Sequence, residues 1–102
     1  MADAADWEPG YADSKHELSI RLRKIEGQVR GIERMLLSDR YCIDILTQIA
    51  AARTGLERVG LEILDGHVSH CVHDAIASGD ADAASEKSRE LLEAIERFVK
   101  MR

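Results

Sequence analysis

The chain has 102 residues, of which 45% are apolar and 32% are charged, and its net charge is −5. One proline and 4% aromatic residues argue against a β-sheet protein, so the expected fold class is all-α. The acidic N-terminus has neither an apolar run nor a basic lead. We therefore expect no signal peptide, no membrane anchor and a cytoplasmic location.

The first predicted helix follows an acidic tail, residues 1–13, that we expect to be disordered. Residues 14–102 are expected to form one helical domain. Ser14 and Glu17 have the spacing of a capping box, which marks a helix start. Apolar residues then recur every three or four positions until the Ser-Asp pair at 38–39, as in a helix that packs along another helix.

The second predicted helix runs from residue 40 or 41 to residue 78, which is unusually long for a small protein. The sequence SGD at its end supplies a glycine terminator and a new cap at Asp80. A third helix is predicted from Ala83 to Lys100. Its buried side is expected to consist of Leu91, Leu92, Ile95, Phe98 and Val99.

Basic residues are concentrated in the first predicted helix. Between Lys15 and Arg40, seven lysine and arginine residues outnumber four acidic residues. Charges three or four positions apart are typical of a solvated helix face. The alternative is a basic stripe that binds nucleic acid, because the potential near a surface is set by charges within a Debye length, ~8–10 Å.

Metal-binding side chains crowd into the second predicted helix. Three histidines and Cys71 lie within seven positions, and His67 and Cys71 are four apart, which places them on one helix face. Cys42 returns to the same face, yet along a continuous helix it would lie roughly 37 Å from His67. An antiparallel second copy, with its two-fold axis near Gly55 and Leu56, would bring Cys42 of one chain to His67 and Cys71 of the other.

That pairing requires the two helices to approach closely and creates two identical sites per dimer. Small residues near the presumed crossing would permit the approach, namely Ala50, Ala51, Ala52, Gly55 and Gly60. One alternative is that these glycines are only tolerated. The other is that Gly60 or Gly66 breaks the helix and folds it back.

Two thiolates and one imidazole form a soft three-ligand set, which suits Cu(I) better than the four-ligand sites of structural zinc. A metal-binding histidine needs an acceptor for its other ring nitrogen. Tyr41 and Glu90 are candidates, although Tyr41 is equally interpreted as a core-edge aromatic residue and Glu90 as an exposed charge. His70 and His73 point away from the face of Cys71. We expect them to be surface residues or hydrogen-bond partners of the metal ligands.

These motifs resemble the copper-sensing operon-repressor (CsoR) family, bacterial DNA-binding repressors without a helix-turn-helix. The resemblance covers Glu17 to Val99 and rests on RLRKIEGQVRGIERML, RYCIDILTQIAAARTGLERV, HVSHC and ELLEAI. It implies a three-helix protomer, an antiparallel four-helix-bundle dimer and a dimer-of-dimers tetramer. Sister branches that sense nickel or cobalt place His at the position of Cys71, and formaldehyde or persulfide sensors lack the match to His67.

The resemblance also implies roles for individual residues. Cu(I) would be bound by Cys42, His67 and Cys71, and the hydrogen-bond network behind them would contain Tyr41 and Glu90, with Glu86 as an alternative to Glu90. Operator DNA would be contacted by basic residues of the first two helices, here Arg21, Arg23 or Lys24, and Arg58.

The function that follows is a repressor that binds operator DNA without metal and releases it when Cu(I) is bound, so that copper-resistance genes are expressed. One alternative is a thiol or persulfide sensor of the same fold that uses only the two cysteines. Another is a copper chaperone that does not bind DNA. We expect no enzyme, because no base and nucleophile pair, phosphate-binding loop or open metal site appears in the sequence.

Overall fold

Helices account for the regular secondary structure of the part of the chain that the computed structural model describes, residues 8–100 without the side chains of residues 71, 72 and 100. A 3₁₀ helix, Ala12–Ser14, precedes α1 (Lys15–Leu37) and α2 (Cys42–Gly66). A π-helical segment, His67–Val72, continues α2 into α3 (His73–Ala77), and α4 is Ala81–Lys100. The all-α prediction is confirmed.

The start of α1 differs from the prediction. Ser14 occupies the N-cap position, but its side chain makes no capping hydrogen bond. Its backbone angles, φ −104° and ψ 1°, are not those of the extended conformation that lets an N-cap hydroxyl reach the first turn. The preceding 3₁₀ helix causes this difference, because it already turns the backbone before α1 begins. The predicted capping box is therefore wrong.

The end of α1 agrees with the prediction. The Ser38 hydroxyl donates to the Arg34 carbonyl over 2.6 Å, and the Arg40 amide donates to the Met35 carbonyl over 3.0 Å. Asp39 adopts a positive φ of 58°, a conformation that Asp tolerates better than most residues. These bonds satisfy the last carbonyls of α1 and reverse the chain into α2.

The described residues divide into two compact units, and one of them is Asp13–Ile63. In this unit α1 and α2 are antiparallel, since Arg21 pairs with Glu62 while Ile25, further along α1, faces the earlier Gly55 on α2. A Cβ at Gly55 would lie 3.4 Å from the Ile25 side chain. Gly55 therefore admits α1 of the same chain, whereas the sequence analysis placed it at a crossing between two copies.

The core of the Asp13–Ile63 unit is small. Among the described residues of the whole chain, those buried to the level of a protein core are Leu18, Ala52 and Val59, and all three belong to this unit. Ala52, like Gly55, was expected at the crossing between two copies, but its burial in the single chain places it on the side that faces α1. One face of α2 is thus already used within the protomer.

The second unit contains residues 64–100 together with residues 8–12. Gly79, with φ +78°, ends the helix as predicted, and the Asp80 carboxylate accepts hydrogen bonds from the amides of Asp82 (3.0 Å) and Ala83 (3.2 Å). This cap starts α4 at Ala81, two residues before the predicted start. The predicted buried side of this helix is partly wrong, because Leu92 and Val99 are exposed.

The N-terminal segment lies against the same unit. The backbone of Gly10 is so close to Gly66 that a Cβ on Gly66 would lie 2.6 Å from the Gly10 carbonyl oxygen. Residues 1–7 of the segment that we expect to be disordered lie outside the described residues. None of the described helices is both long enough and apolar enough to span a membrane.

Candidate metal and nucleic-acid sites

The donor-rich motif HVSHC lies in the π-helical segment, His67–Val72. Hydrogen bonds from residue i to i+5 widen this turn beyond four residues, so the backbones of His67 and Cys71 remain on one side of the helix. The side chain of Cys71 lies outside the described part. Sequence spacing gave no signal for the π-helical turn, because a separation of four residues fits an α-helix equally well. Such turns are frequent at functional sites.

The imidazole of His67 faces Glu90 on α4. Its Nε2 lies 3.9 Å from Oε1 of Glu90, and Lys87 Nζ lies 3.7 Å from the same oxygen. The His67 side chain is half-buried. At 3.9 Å the two groups are neighbours, but they are too far apart for a hydrogen bond. With Nε2 directed at a carboxylate, Nδ1 is the ring nitrogen available as a ligand.

Cys42 is the first residue of α2, and its thiol is exposed. Tyr41, which precedes it, is also exposed, and its carbonyl oxygen accepts the amides of Asp44 (3.0 Å) and Ile45 (3.3 Å). Tyr41 therefore fixes the first turn of α2 through its backbone, while its ring is directed toward solvent in the single chain.

The apolar residues that follow Cys42 on its face of α2 are uncovered. This stripe was predicted from helical periodicity, and its large members are exposed in the single chain: Leu46, Ile49, Leu56 and Ile63. The buried Ala52 and Val59 lie about a quarter-turn around α2 from Cys42, on the adjoining side of the helix. An uncovered apolar stripe of this length is typical of a surface that binds another protein chain.

Within the described part of the chain, no group of three or more His, Cys, Asp or Glu side chains is close enough to hold a metal ion. His70 and His73 are exposed, as expected, and so is His16. The chemistry of the donors nevertheless fits a soft cation, because an accessible thiol and an imidazole backed by a carboxylate are available.

A basic groove lies between α1 and α2 in the Asp13–Ile63 unit. Three of the predicted DNA-binding residues, Arg21, Lys24 and Arg58, line it, and the rest of the lining is Ile25, Gln28, Ala51 and Gly55. Arg23 is exposed on α1 outside this groove. The sequence left Arg23 and Lys24 as alternatives for a DNA contact, and of the two only Lys24 lines the groove.

Two polar residues, one in the groove lining and one paired with Arg21 beside it, were not found from the sequence. The Oε1 atom of Gln28 is buried and has no hydrogen-bond partner among the described residues. Glu62 accepts from Arg21 Nη1 over 2.9 Å. Periodicity alone could have indicated Gln28, because it lies seven positions after Arg21 on α1.

Comparisons with known proteins agree with this picture. Residues 14–97 match the family described as metal-sensitive transcriptional repressor. The copper-sensing transcriptional repressor RicR of Mycobacterium tuberculosis is 50% identical over 91 residues, which cover 89% of this chain and 94% of the relative. The copper-sensing transcriptional repressor CsoR of Bacillus subtilis is 48% identical over 86 residues, with 84% of this chain and 82% of the relative covered.

Solved structures give the same result. The copper-sensing repressor CsoR with Cu(I) from Geobacillus thermodenitrificans superposes with a TM-score of 0.81 at 40% identity, over 91% of this chain and 94% of that chain. The nickel-responsive transcriptional regulator InrS gives a TM-score of 0.70, also at 40% identity, over 81% of this chain and 90% of that chain.

These matches define the protein as a transcriptional regulator, so the prediction that it is not an enzyme is confirmed. More narrowly, the chain belongs to the metal-sensitive transcriptional repressor family. The resemblance drawn from its sequence motifs is thereby confirmed.

Proposed function

We propose that this chain is a cytoplasmic Cu(I)-responsive repressor, which binds operator DNA in the metal-free form and releases it when Cu(I) is bound. The observation that carries the proposal is the contact of Glu90 with Nε2 of His67, the first residue of the HVSHC motif. Relatives at 48–50% identity are named copper-sensing repressors. Cys71 favours copper over nickel, because soft thiolate ligands select Cu(I).

The proposed metal ligands are Cys42 of one protomer with His67 and Cys71 of its partner. Cys42 begins α2 and His67 follows its end, and an α-helix of 25 residues is about 37 Å long. The uncovered stripe on α2 supplies the surface on which an antiparallel partner would pack. Cu(I), when bound, would supply a cross-link between the two chains through soft ligands.

The response is proposed to depend on the proton of His67. An imidazole that uses Nδ1 as a ligand carries its hydrogen on Nε2, which then donates to the Glu90 carboxylate. Glu90 is on α4, so this hydrogen bond fixes α4 against the π-helical segment. Tyr41, adjacent to Cys42, is the proposed partner for the same network across the dimer.

DNA is proposed to bind along the groove of Arg21, Lys24 and Arg58, mainly through its phosphates. A dimer of dimers would present several such grooves to one duplex. For the DNA affinity to fall 5- to 150-fold on metal binding, the two sites need a coupling of only ~1–3 kcal/mol.

The shared site is tested by mixing two inactive variants. Cys42→Ala and Cys71→Ala are each expected to lose tight Cu(I) binding. Unfolded together and refolded, they form mixed dimers in which Cys42 of the Cys71→Ala chain meets His67 and Cys71 of the other. Competition with a Cu(I) chelator should then show one tight site per mixed dimer. Lack of any recovery, with dimers present, would contradict the shared site.

The two alternative functions, a thiol or persulfide sensor and a copper chaperone, predict different results when DNA and Cu(I) binding are measured on the reduced protein. If the protein is a thiol or persulfide sensor, a sulfur donor should release DNA from it even when His67 is replaced, in the variant His67→Ala. Copper should then fail to release the DNA. A copper chaperone would bind Cu(I) without binding the promoter duplex. The Glu90 contact of His67 favours the copper repressor, because a sensor that uses only two thiols has no need of a backed imidazole.

A further inference from the structure

Arg21 is engaged before any DNA arrives. Its Nη1 donates to the Glu62 carboxylate over 2.9 Å, while the same guanidinium lines the basic groove with Lys24 and Arg58. Glu62 itself lies outside the groove lining, one helical turn beyond Arg58 on α2. A carboxylate offers a guanidinium the same kind of acceptor oxygens that a phosphate offers.

We infer that Glu62 is an internal competitor of the DNA phosphate for Arg21, and that it lowers the DNA affinity of the metal-free protein. This inference rests on the proposed DNA-binding function. The groove carries three cations, and Glu62 offsets the charge of one of them. A duplex that contacts Arg21 must therefore share the guanidinium or displace the carboxylate.

The exposure of the pair indicates that displacement is feasible. The side chains of Arg21 and Glu62 are 29% and 46% exposed, so that opening the pair leaves neither charge buried. Ion pairs of this kind contribute little to folding, and Glu62→Gln is expected to fold normally. The carboxylate nevertheless reduces the positive potential that would attract a phosphate, because it contacts Arg21 and lies one helical turn, about 6 Å, from Arg58.

The test compares Glu62→Gln with Glu26→Gln, which removes a carboxylate from another arginine pair in the same unit, that of Arg30 on α1. Reduced, metal-free proteins are titrated over a range of salt concentrations. The probes are a duplex from the region upstream of the protein's own gene and a scrambled duplex of equal composition. Fluorescence anisotropy gives the affinity and its salt dependence.

Glu62→Gln is expected to bind both duplexes more tightly than the unmodified protein, by roughly two- to five-fold for each protomer in contact. The plot of log K against log salt should be steeper by about 0.9 per such protomer, because Arg21 becomes a full phosphate contact. Glu26→Gln should keep the original slope. Arg21→Ala should cost more affinity in the Glu62→Gln background than in the original protein.

Equal affinities and slopes for the two Gln variants would overturn the competition. Weaker binding by Glu62→Gln would also overturn it, since Glu62 would then hold Arg21 in place for DNA. If the unmodified protein binds neither duplex, the proposed repressor function fails first, and this inference falls with it.

Discussion

The Asp13–Ile63 unit and the unit of residues 64–100 have different degrees of regularity. In the first, α1 and α2 are ordinary α-helices whose contact uses a glycine, an alanine and a valine. In the second, the helix widens into a π-helical segment where the donor residues lie. Regular helices position the basic groove and Cys42, and an irregular turn carries the other two proposed metal ligands, His67 and Cys71. Because π-helical turns are frequent at functional sites, we expect the unit of residues 64–100 to be the part that responds to the metal.

The largest expected effect comes from the uncovered stripe of α2. Leu56→Glu places a charge at the centre of the proposed dimer interface, and an unpaired buried charge is expected to weaken dimer formation at least about 100-fold. Copper binding should fall with it, since the site is shared. Leu61→Glu is the matched control, because Leu61 is equally exposed but lies off the stripe.

Sedimentation velocity measures both variants. A dimeric Leu56→Glu protein, or a Leu61→Glu protein that dissociates just as readily, would remove the stripe as the dimer surface. The Asp13–Ile63 unit would then contribute the basic groove and Cys42 to the proposed function, but not the dimer surface.

The second effect concerns the unit of residues 64–100. Glu90→Gln keeps the shape of the side chain but removes the charge that faces His67 Nε2. We expect the affinity for Cu(I) to fall by no more than about ten-fold. Cu(I) should weaken DNA binding only a few-fold in this variant, compared with about 5- to 150-fold in the unmodified protein. Glu86→Gln, on the same helix, is the control and should respond like the unmodified protein.

Competition with a Cu(I) chelator measures the affinity for copper, and DNA anisotropy measures how far copper weakens DNA binding. If Glu90→Gln releases DNA as fully as the unmodified protein, then α4 does not report the state of His67. A defect in Glu86→Gln alone would transfer the role to the residue that the sequence left as the alternative.

The third effect concerns the basic groove. Lys24→Ala should weaken DNA binding by up to about ten-fold and reduce the salt slope by about 1 for each protomer in contact, because a phosphate contact is lost. Arg23→Ala removes an equal charge from the neighbouring position outside the groove and should have the smaller effect. Copper affinity should stay unchanged in both. The reverse order of the two losses would assign the duplex to another face of α1.

The smallest effect concerns the turn that places α4. Asp80→Ala removes the carboxylate that accepts from Asp82 and Ala83, and should lower the free energy of unfolding by about 1 kcal/mol. Asp82→Ala loses only a favourable charge in the first turn, with an expected cost of roughly 0.5 kcal/mol. Thermal melts followed by circular dichroism measure both. An equal loss in the two variants would show that the cap contributes nothing beyond its charge.

Most of the fold was accessible from the sequence, because helix periodicity, the Asp39 and Gly79 turns and the Asp80 cap are local features. The π-helical turn was not, since one extra residue per turn leaves no mark on the spacing of His67 and Cys71. The missing cap at Ser14 depends on the 3₁₀ helix before it. The pairing of Arg21 with Glu62 joins two helices, which no local pattern reveals.

Some of the proximities expected at the candidate sites are found in the structure, while the roles of the residues stay predictions. His67 and Glu90 lie together as the sequence analysis expected, and Arg21, Lys24 and Arg58 line one groove. The role of Gly55 was misjudged, because periodicity identifies a small residue but not the helix it faces. The meeting of Cys42 with His67 and Cys71 remains a prediction that depends on a second copy of the chain.

The most direct measurement is an anaerobic Cu(I) titration of the reduced protein bound to its own promoter duplex, followed by fluorescence anisotropy. We expect DNA release to be complete at one copper per protomer, and Cys42→Ala to remain bound to DNA throughout. DNA that stays bound to the unmodified protein at saturating Cu(I) would contradict the proposal that copper releases the repressor.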